Sequence, residues 1–375
     1  MKLHSIQFLR AVAAILVVYT HSIGMQANFS NSSQQSFFYL RNFGCIGVDL
    51  FFVISGFIIT LIANNYTGTS QGLLFLKKRF MRINPIYYIA SLLYLGVLAV
   101  QIWATNKSFY LPLGSILNSL SDTIMIFPVS GDMSVYSPLL LLGWTLCFEW
   151  FFYIIFFTLV IFNTRNKVIF LILAMTLLTV LGYIIKPSDF RLIFVTNPII
   201  LEFLLGIIIC WIYLNTKTIS VPIAATCLLL GLGCYIYLIF YGYGDVYHYK
   251  NVLSGQLSMK RFLIWGIPSC LIVAGSIFLE RNGKGNWIWK NKWMQLSGDA
   301  SYSIYLSHLI VFELFNILFK KNGSFLPADM NIILVLSVSL LMGLGFYKII
   351  EKPLLQYINK IPIEKQPPLT IPSVT

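Results

Sequence analysis

The sequence predicts an all-α, polytopic integral membrane protein with about ten transmembrane helices and both termini in the cytoplasm. Composition points there first. Of 375 residues, 58% are hydrophobic and only 10% are charged, with a mean hydropathy of +0.79; a soluble protein of this size carries about 25% charged residues. Patterning points there next, because the apolar residues come in windows of about 20, the length of helix that crosses a bilayer core. The third pointer is an uneven sharing of Lys and Arg between alternate connections.

The windows fall at roughly 5–25, 43–64, 85–104, 140–162, 167–186, 194–214, 219–241, 262–279, 300–319 and 331–350. The first mimics a signal peptide, with Lys2 ahead of an apolar run. Arg10 interrupts that run and no small-x-small cleavage site follows, so it reads as a retained span. With the N-terminus inside, the inner connections hold sixteen of the 26 Lys and Arg, the outer ones nine, and Arg10 lies within the first span. Two outer connections are long, 26–42 and 105–139. A third, 242–261, mixes aromatic and polar residues (GYGDVYHYKNVLSGQLSMKR), a composition that suits either sugar stacking or an interfacial aromatic belt. The membrane domain is expected over 1–352. Residues 353–375, with Pro362, Pro367, Pro368 and Pro372, read as a short disordered cytoplasmic tail. There is no fixed-period repeat and no inverted pair of broken helices.

The net charge of +13 is explained by cytoplasmic loops and anionic headgroups, so membrane lipid rather than nucleic acid is the expected partner. The six cysteines lie in or beside apolar runs without CxxC spacing and read as small buried hydrophobes. No metal-ligand spacing is present, and no metal is expected.

A charge at mid-bilayer costs at least about 2.5 kcal/mol, so ionisable residues within the spans are the best pointers to chemistry. They are Arg10, His21, Asp49, Glu149, Glu202, His308 and Glu313. On a helix, the eleven steps from Arg10 to His21 return to within about 20° of the start and rise roughly 16 Å. One helix face thus presents a cation towards one membrane surface and an imidazole towards the other. Counted from the outer ends of their spans, His21, Asp49 and Glu149 fall in a slab about 10 Å thick, which predicts a general base oriented by a carboxylate. The inner segment FLKKRFMRINPIYY reads as a loop whose Lys77, Lys78, Arg79 and Arg82 lie at the Arg10 depth, suited to phosphates or to anionic lipid.

These residues resemble a known family. Arg10 and His21 at their spacing, GVDLFFVISGF (47–57), KKRFMRINPIYY (77–88), WTLCFEWFFY (144–153), SYSIYLSH (301–308) and IIEKPL (349–354) are similar, in order, to the motifs of the membrane acyltransferase-3 family. That family comprises bacterial enzymes that O-acylate surface glycans such as O-antigen (the glycan of lipopolysaccharide), capsule and exopolysaccharide. The match runs from residue 5 to about 354. The resemblance implies a ten-helix domain of the stand-alone type in the bacterial inner membrane, using cytosolic acyl-CoA, with acetyl-CoA as the expected acyl donor. It implies Arg10, Lys78, Arg79 and Arg82 as donor-binding residues and His21 with Glu149 as catalytic residues. Within the ninth and fourth windows, His308 and Trp144 are the expected substrate contacts. Asp49 is the second carboxylate that could orient His21.

The expected reaction is proton abstraction by His21 from a hydroxyl of a glycan or its lipid-linked precursor, followed by attack on the thioester; an acyl-histidine intermediate is a variant. A secondary transporter with His, Asp and Glu as a proton relay is the alternative. The basic cluster argues for the enzyme, since a relay has no use for a phosphate clamp. Acceptor, acyl length and oligomeric state are left open by the sequence.

Overall fold

The computed structural model describes residues 3–27, 40, 42–105, 113–129, 132–134, 136, 138–164, 166–217, 219–322 and 326–360. Among these, ten helices are long and apolar enough to cross a membrane. We number the main α-helix of each span α1 (His4–Ala27), α2 (Gly47–Ala63), α3 (Gly68–Thr105), α4 (Gly143–Ile161), α5 (Lys167–Ile185), α6 (Leu201–Asn215, within the span Phe190–Asn215), α7 (Val221–Tyr241), α8 (Ile267–Arg281, within the span Ser258–Arg281), α9 (Ser301–Asn322) and α10 (Ala328–Phe346). All ten predicted spans are present. Most of the predicted connection 26–42 and the tail beyond residue 360 lie outside the described residues; of the connection 105–139, residues 106–112, 130, 131, 135 and 137 do, and a short helix spans Leu113–Met125.

Three boundaries differ from the sequence reading, each for a physical reason. The basic segment 77–82 is helical, because α3 starts at Gly68 and runs 38 residues with Pro85 inside it. At 1.5 Å per residue α3 is about 57 Å long, nearly twice a bilayer core. A hydropathy window ends where the charges begin, but backbone hydrogen bonding does not. The predicted eighth span begins earlier, at Ser258–Arg261, and enters α8 through a π-turn at Phe262–Gly266. Beyond α10 a second π-turn, Tyr347–Glu351, leads into a helix over Lys352–Lys360, so the expected tail is helical in its first part.

Burial sorts the helices into centre and rim. Two-thirds (67%) of the α2 window is buried but only 17% of the α5 window; α1, α2, α6, α8 and α9 form the centre. Small residues let the central helices touch. A Cβ on Gly206 of α6 would lie 2.0 Å from the Val53 carbonyl oxygen of α2, and one on Gly47 would lie 2.3 Å from the Ala13 carbonyl oxygen of α1. Such contact between backbones is the usual way helices associate where lipid removes the hydrophobic drive. On α1, Ala11, Ala13 and Ala14 are fully buried for the same reason.

The first turn of α1 is anchored from α8. The Glu280 carboxylate accepts the His4 and Ser5 N–H groups, both at 2.8 Å, and the Ser5 hydroxyl at 2.6 Å. A carboxylate there satisfies free N–H groups and complements the positive end of the helix. Gln295 adds bonds to the His4 ring (3.0 Å) and the His4 carbonyl (2.8 Å). The helix carrying Arg10 and His21 is therefore held before it enters the bundle.

Candidate active site

Two cavities approach each other inside the bundle. The first lies at the Arg10 end and holds about 120 Å³. Arg10, Arg79, Arg82 and Glu149 border it, with walls that are otherwise largely apolar, including Ile54, Ile58 and Ile59. Arg79 and Arg82 share one face of α3 through their i,i+3 spacing, and Arg79 also lies over the Phe75 ring at 5.7 Å. Three guanidinium groups against one lining carboxylate leave this cavity net positive. Glu149 accepts a hydrogen bond from Ser55 at 3.0 Å and another from Tyr153.

The second cavity, about 930 Å³, opens at the opposite end. His21 and Trp144 border it, together with the segment Tyr241–Tyr249 and Arg261. Val48 and Tyr305 line both cavities, so the partition between them is one side chain thick. Tyr305 is oriented by Thr145. The Thr145 hydroxyl donates its one proton to the Leu142 carbonyl at 2.9 Å, so at 3.0 Å it can only accept from the Tyr305 O–H.

His21 is oriented by a histidine. His21 Nδ1 lies 2.9 Å from His308 Nε2, with the rings stacked 5.1 Å apart and 15° from parallel. Behind it, His308 Nδ1 lies 3.4 Å from the Ile304 carbonyl. A carbonyl only accepts, so His308 Nδ1 carries a proton and its Nε2 offers a lone pair. His21 Nδ1 must then donate, and His21 Nε2 keeps its lone pair. A backbone carbonyl thus fixes, through two rings, the tautomer in which His21 is a free base.

The predicted trio of His21, Asp49 and Glu149 is taken apart. Gly47 meets α1 at Ala13, eight residues below His21, which is about 12 Å along the axis. Asp49 therefore sits well below the His21 level, because α1 overshoots the start of α2 by more than two turns. Both Asp49 oxygens are taken by Arg261, at 2.9 and 2.7 Å, in a pair that is 0% and 1% exposed. Glu149 borders the Arg10 cavity. Neither carboxylate is bonded to His21; the orienting role falls to His308, which the sequence reading had placed against substrate. Trp144 does border the second cavity. Of the predicted donor-binding residues, Arg10, Arg79 and Arg82 converge, and Lys78 is not among the residues bordering the cavity.

Three participants escaped the sequence reading, and for a fourth, Glu202, the reading found the residue but not its partners. Arg261 counted as a loop cation because it adjoins a polar stretch, yet it is fully buried and also donates to the Val246 (3.1 Å) and Cys45 (3.2 Å) carbonyls. Glu202, which nothing in the sequence attached to other charges, is buried beside the Asp49–Arg261 pair. Glu351 is turned inward by the π-turn, accepts from Ser303, and acts electrostatically on Arg10. Tyr305 stands one helical turn before His308, an i,i+3 relation that could have flagged it.

We expect Arg82→Ala to weaken the binding of an anionic ligand in this cavity about 10- to 100-fold, the equivalent of one or two charge-assisted hydrogen bonds. Titration of wild type and variant with labelled acetyl-CoA checks it.

The family model described as "Acyltransferase domain" matches residues 3–348. The chain is 31% identical over 315 residues to the exopolysaccharide production protein ExoZ of Rhizobium meliloti (strain 1021), covering 84% of this chain and 90% of that protein. It is 26% identical over 336 residues to the O-acetyltransferase OatA of Staphylococcus aureus (strain NCTC 8325 / PS 47), covering 83% of this chain and 52% of that one. The chain thus spans about half the length of OatA. No solved structure matches the chain.

Proposed function

The chain belongs to the membrane acyltransferase-3 family, and from that premise we propose that it transfers an acyl group, acetyl in the simplest case, from cytosolic acyl-CoA to a hydroxyl of a surface polysaccharide or its lipid-linked precursor. In this reading the protein sits in a bacterial inner membrane with the Arg10 end towards the cytoplasm. The observation that carries it is the pair of cavities separated by Tyr305 and Val48, one bordered by three guanidinium groups and the other by an imidazole with a free lone pair.

The donor's phosphates are held by Arg10, Arg79 and Arg82, by charge-assisted bonds of the kind guanidinium forms with phosphate. Glu149 and Glu351 limit the repulsion among the three cations. The pantetheine arm follows the apolar wall towards Tyr305, and the roughly 16 Å from Arg10 to His21 is of the order of its reach. The acceptor enters the wide cavity. His21 Nε2 takes the hydroxyl proton as the oxygen attacks the thioester carbonyl, giving a tetrahedral intermediate. The carbon–sulfur bond then breaks. The thiolate leaves with the proton that His21 returns, and the ester remains on the acceptor. His308 keeps the His21 ring in place throughout and compensates its Nδ1–H.

The similarity to an exopolysaccharide production protein and to an O-acetyltransferase supports a polysaccharide acceptor. The test is to incubate purified protein in nanodiscs with labelled acetyl-CoA and candidate glycans, then to find the label on sugar hydroxyls by mass spectrometry. Movement of substrate across the membrane without ester formation would favour a carrier instead.

A further inference from the structure

We propose that the segment Gly242–Tyr249 is the acceptor-selecting wall of the second cavity, a preformed subsite for neutral pyranose rings. The proposal rests on the acyltransferase reading of that cavity and says which kind of sugar it admits, and through which residues.

The segment is built, not draped. Its turns are made by Gly242 and Gly244, whose φ angles of +85° and +69° suit a residue without a Cβ. Between them Tyr243 is wedged against Trp265, ring centres 5.2 Å apart, and against Phe43 at 6.1 Å. Val246 is fully buried, and its carbonyl is bonded by Arg261 at 3.1 Å. Arg261 is itself locked to Asp49 and to the Cys45 carbonyl. Asn251 holds the Asp245 carbonyl at 3.2 Å. The backbone between two cavity-lining side chains, Asp245 and Tyr247, is therefore tied to the start of α2 by a buried ion pair. A buried charged pair is a costly way to hold a loop that has no work to do.

The side chains so displayed match the chemistry of a sugar. A pyranose has an apolar C–H face and a rim of hydroxyls. Tyr247 and Tyr249, both half-buried, offer rings to the face and phenol groups to the rim. The exposed His248 ring, 4.1 Å from that of Tyr247, extends the platform. Asp245 is the one carboxylate among the described residues bordering the cavity. It accepts hydrogen bonds from neutral hydroxyls and repels a uronate. The cavity, about 930 Å³, is at the upper end of the range for ligand sites and admits more than one ring. His21 lies on the same cavity wall system, so a sugar seated here presents hydroxyls to the base.

The test uses protein in nanodiscs and two defined probes, a neutral β-glucan tetrasaccharide and the same tetrasaccharide with one glucuronate. Binding is read by saturation-transfer NMR and transfer by labelled acetyl-CoA. We expect the wild type to bind the neutral probe more tightly. Tyr247→Ala combined with His248→Ala should weaken that binding at least tenfold with the acetyl-CoA KM unchanged, and Asp245→Asn should narrow the neutral-over-uronate preference several-fold. Tyr247→Phe should stay within about threefold of wild type, and Tyr247→Leu, which keeps the volume without the ring, should not. Monodispersity and thermal midpoint are recorded for each variant. Wild-type protein that binds neither probe, or loop variants that bind like wild type, overturn the proposal. So does an equal loss with Tyr247→Phe and Tyr247→Leu. Binding that follows the loop without ester formation leaves this subsite standing and removes the acyltransfer reading. Esterified glycan with no dependence on the loop does the reverse.

Discussion

Replacing His21 with alanine is expected to lower acyl transfer by about 10²- to 10⁴-fold, the usual contribution of a positioned general base, while the protein stays folded and in the membrane. The side chain borders an open cavity on one side, and its loss uncovers only the His308 and Phe312 rings on the other. Under the proposed reading the donor KM should not move, since the cavity bordered by Arg10, Arg79 and Arg82 lies at the other end of α1. The more discriminating variants are at His308, which is fully buried and borders neither cavity. His308→Phe keeps the stacked ring but removes the acceptor for His21 Nδ1–H, leaving a buried donor unsatisfied. It should fall most of the way to the His21→Ala level in kcat. His308→Gln can still accept from His21 through its amide oxygen and should retain more activity. Equal activity in the two would show that His308 only fills space. The measurement is kcat and KM for donor and acceptor separately, with surface expression as a control.

Asp49→Ala is expected to destabilise the protein by about 3–5 kcal/mol, because it strands the Arg261 guanidinium in a fully buried site. Arg261→Ala should do similar damage by leaving Asp49 beside Glu202 with no cation between them. Replacing both members with apolar residues of similar volume, Asp49→Leu with Arg261→Met, should restore much of the thermal midpoint, since two buried desolvation penalties vanish together. The double variant does not restore the bonds to the Val246 and Cys45 carbonyls. Its acceptor KM should therefore stay raised while its stability recovers. Thermal unfolding in detergent, read by size-exclusion chromatography, separates the two effects. If the double variant is as unstable as the singles, the pair is needed for more than charge balance.

These variants also show where reading a sequence stops. Arg10, Arg79 and Arg82 were legible as one cluster because depth follows from position along the chain, and all three converge on one cavity. Asp49 was misplaced by about 12 Å because its depth was counted from the end of its own span, and spans need not start level. Arg261 was invisible because a cation beside a polar stretch looks solvated unless its partner, 212 residues away, is known. The His21–His308 contact, separated by 287 residues, belongs to the same class.

By itself the sequence determined that the chain is a ten-span helical membrane protein, and that α1 carries Arg10 and His21 on one face about 16 Å apart. Both follow from local physics: hydropathy over 20 residues and 3.6 residues per turn. Only the tertiary structure decided which charges meet. The azimuth of each helix and its offset along the membrane normal are set by where backbones can touch, at Gly47 against Ala13 and Gly206 against Val53. Those contacts pair Asp49 with Arg261, give Glu149 to the Arg10 cavity, and leave His21 to be oriented by His308.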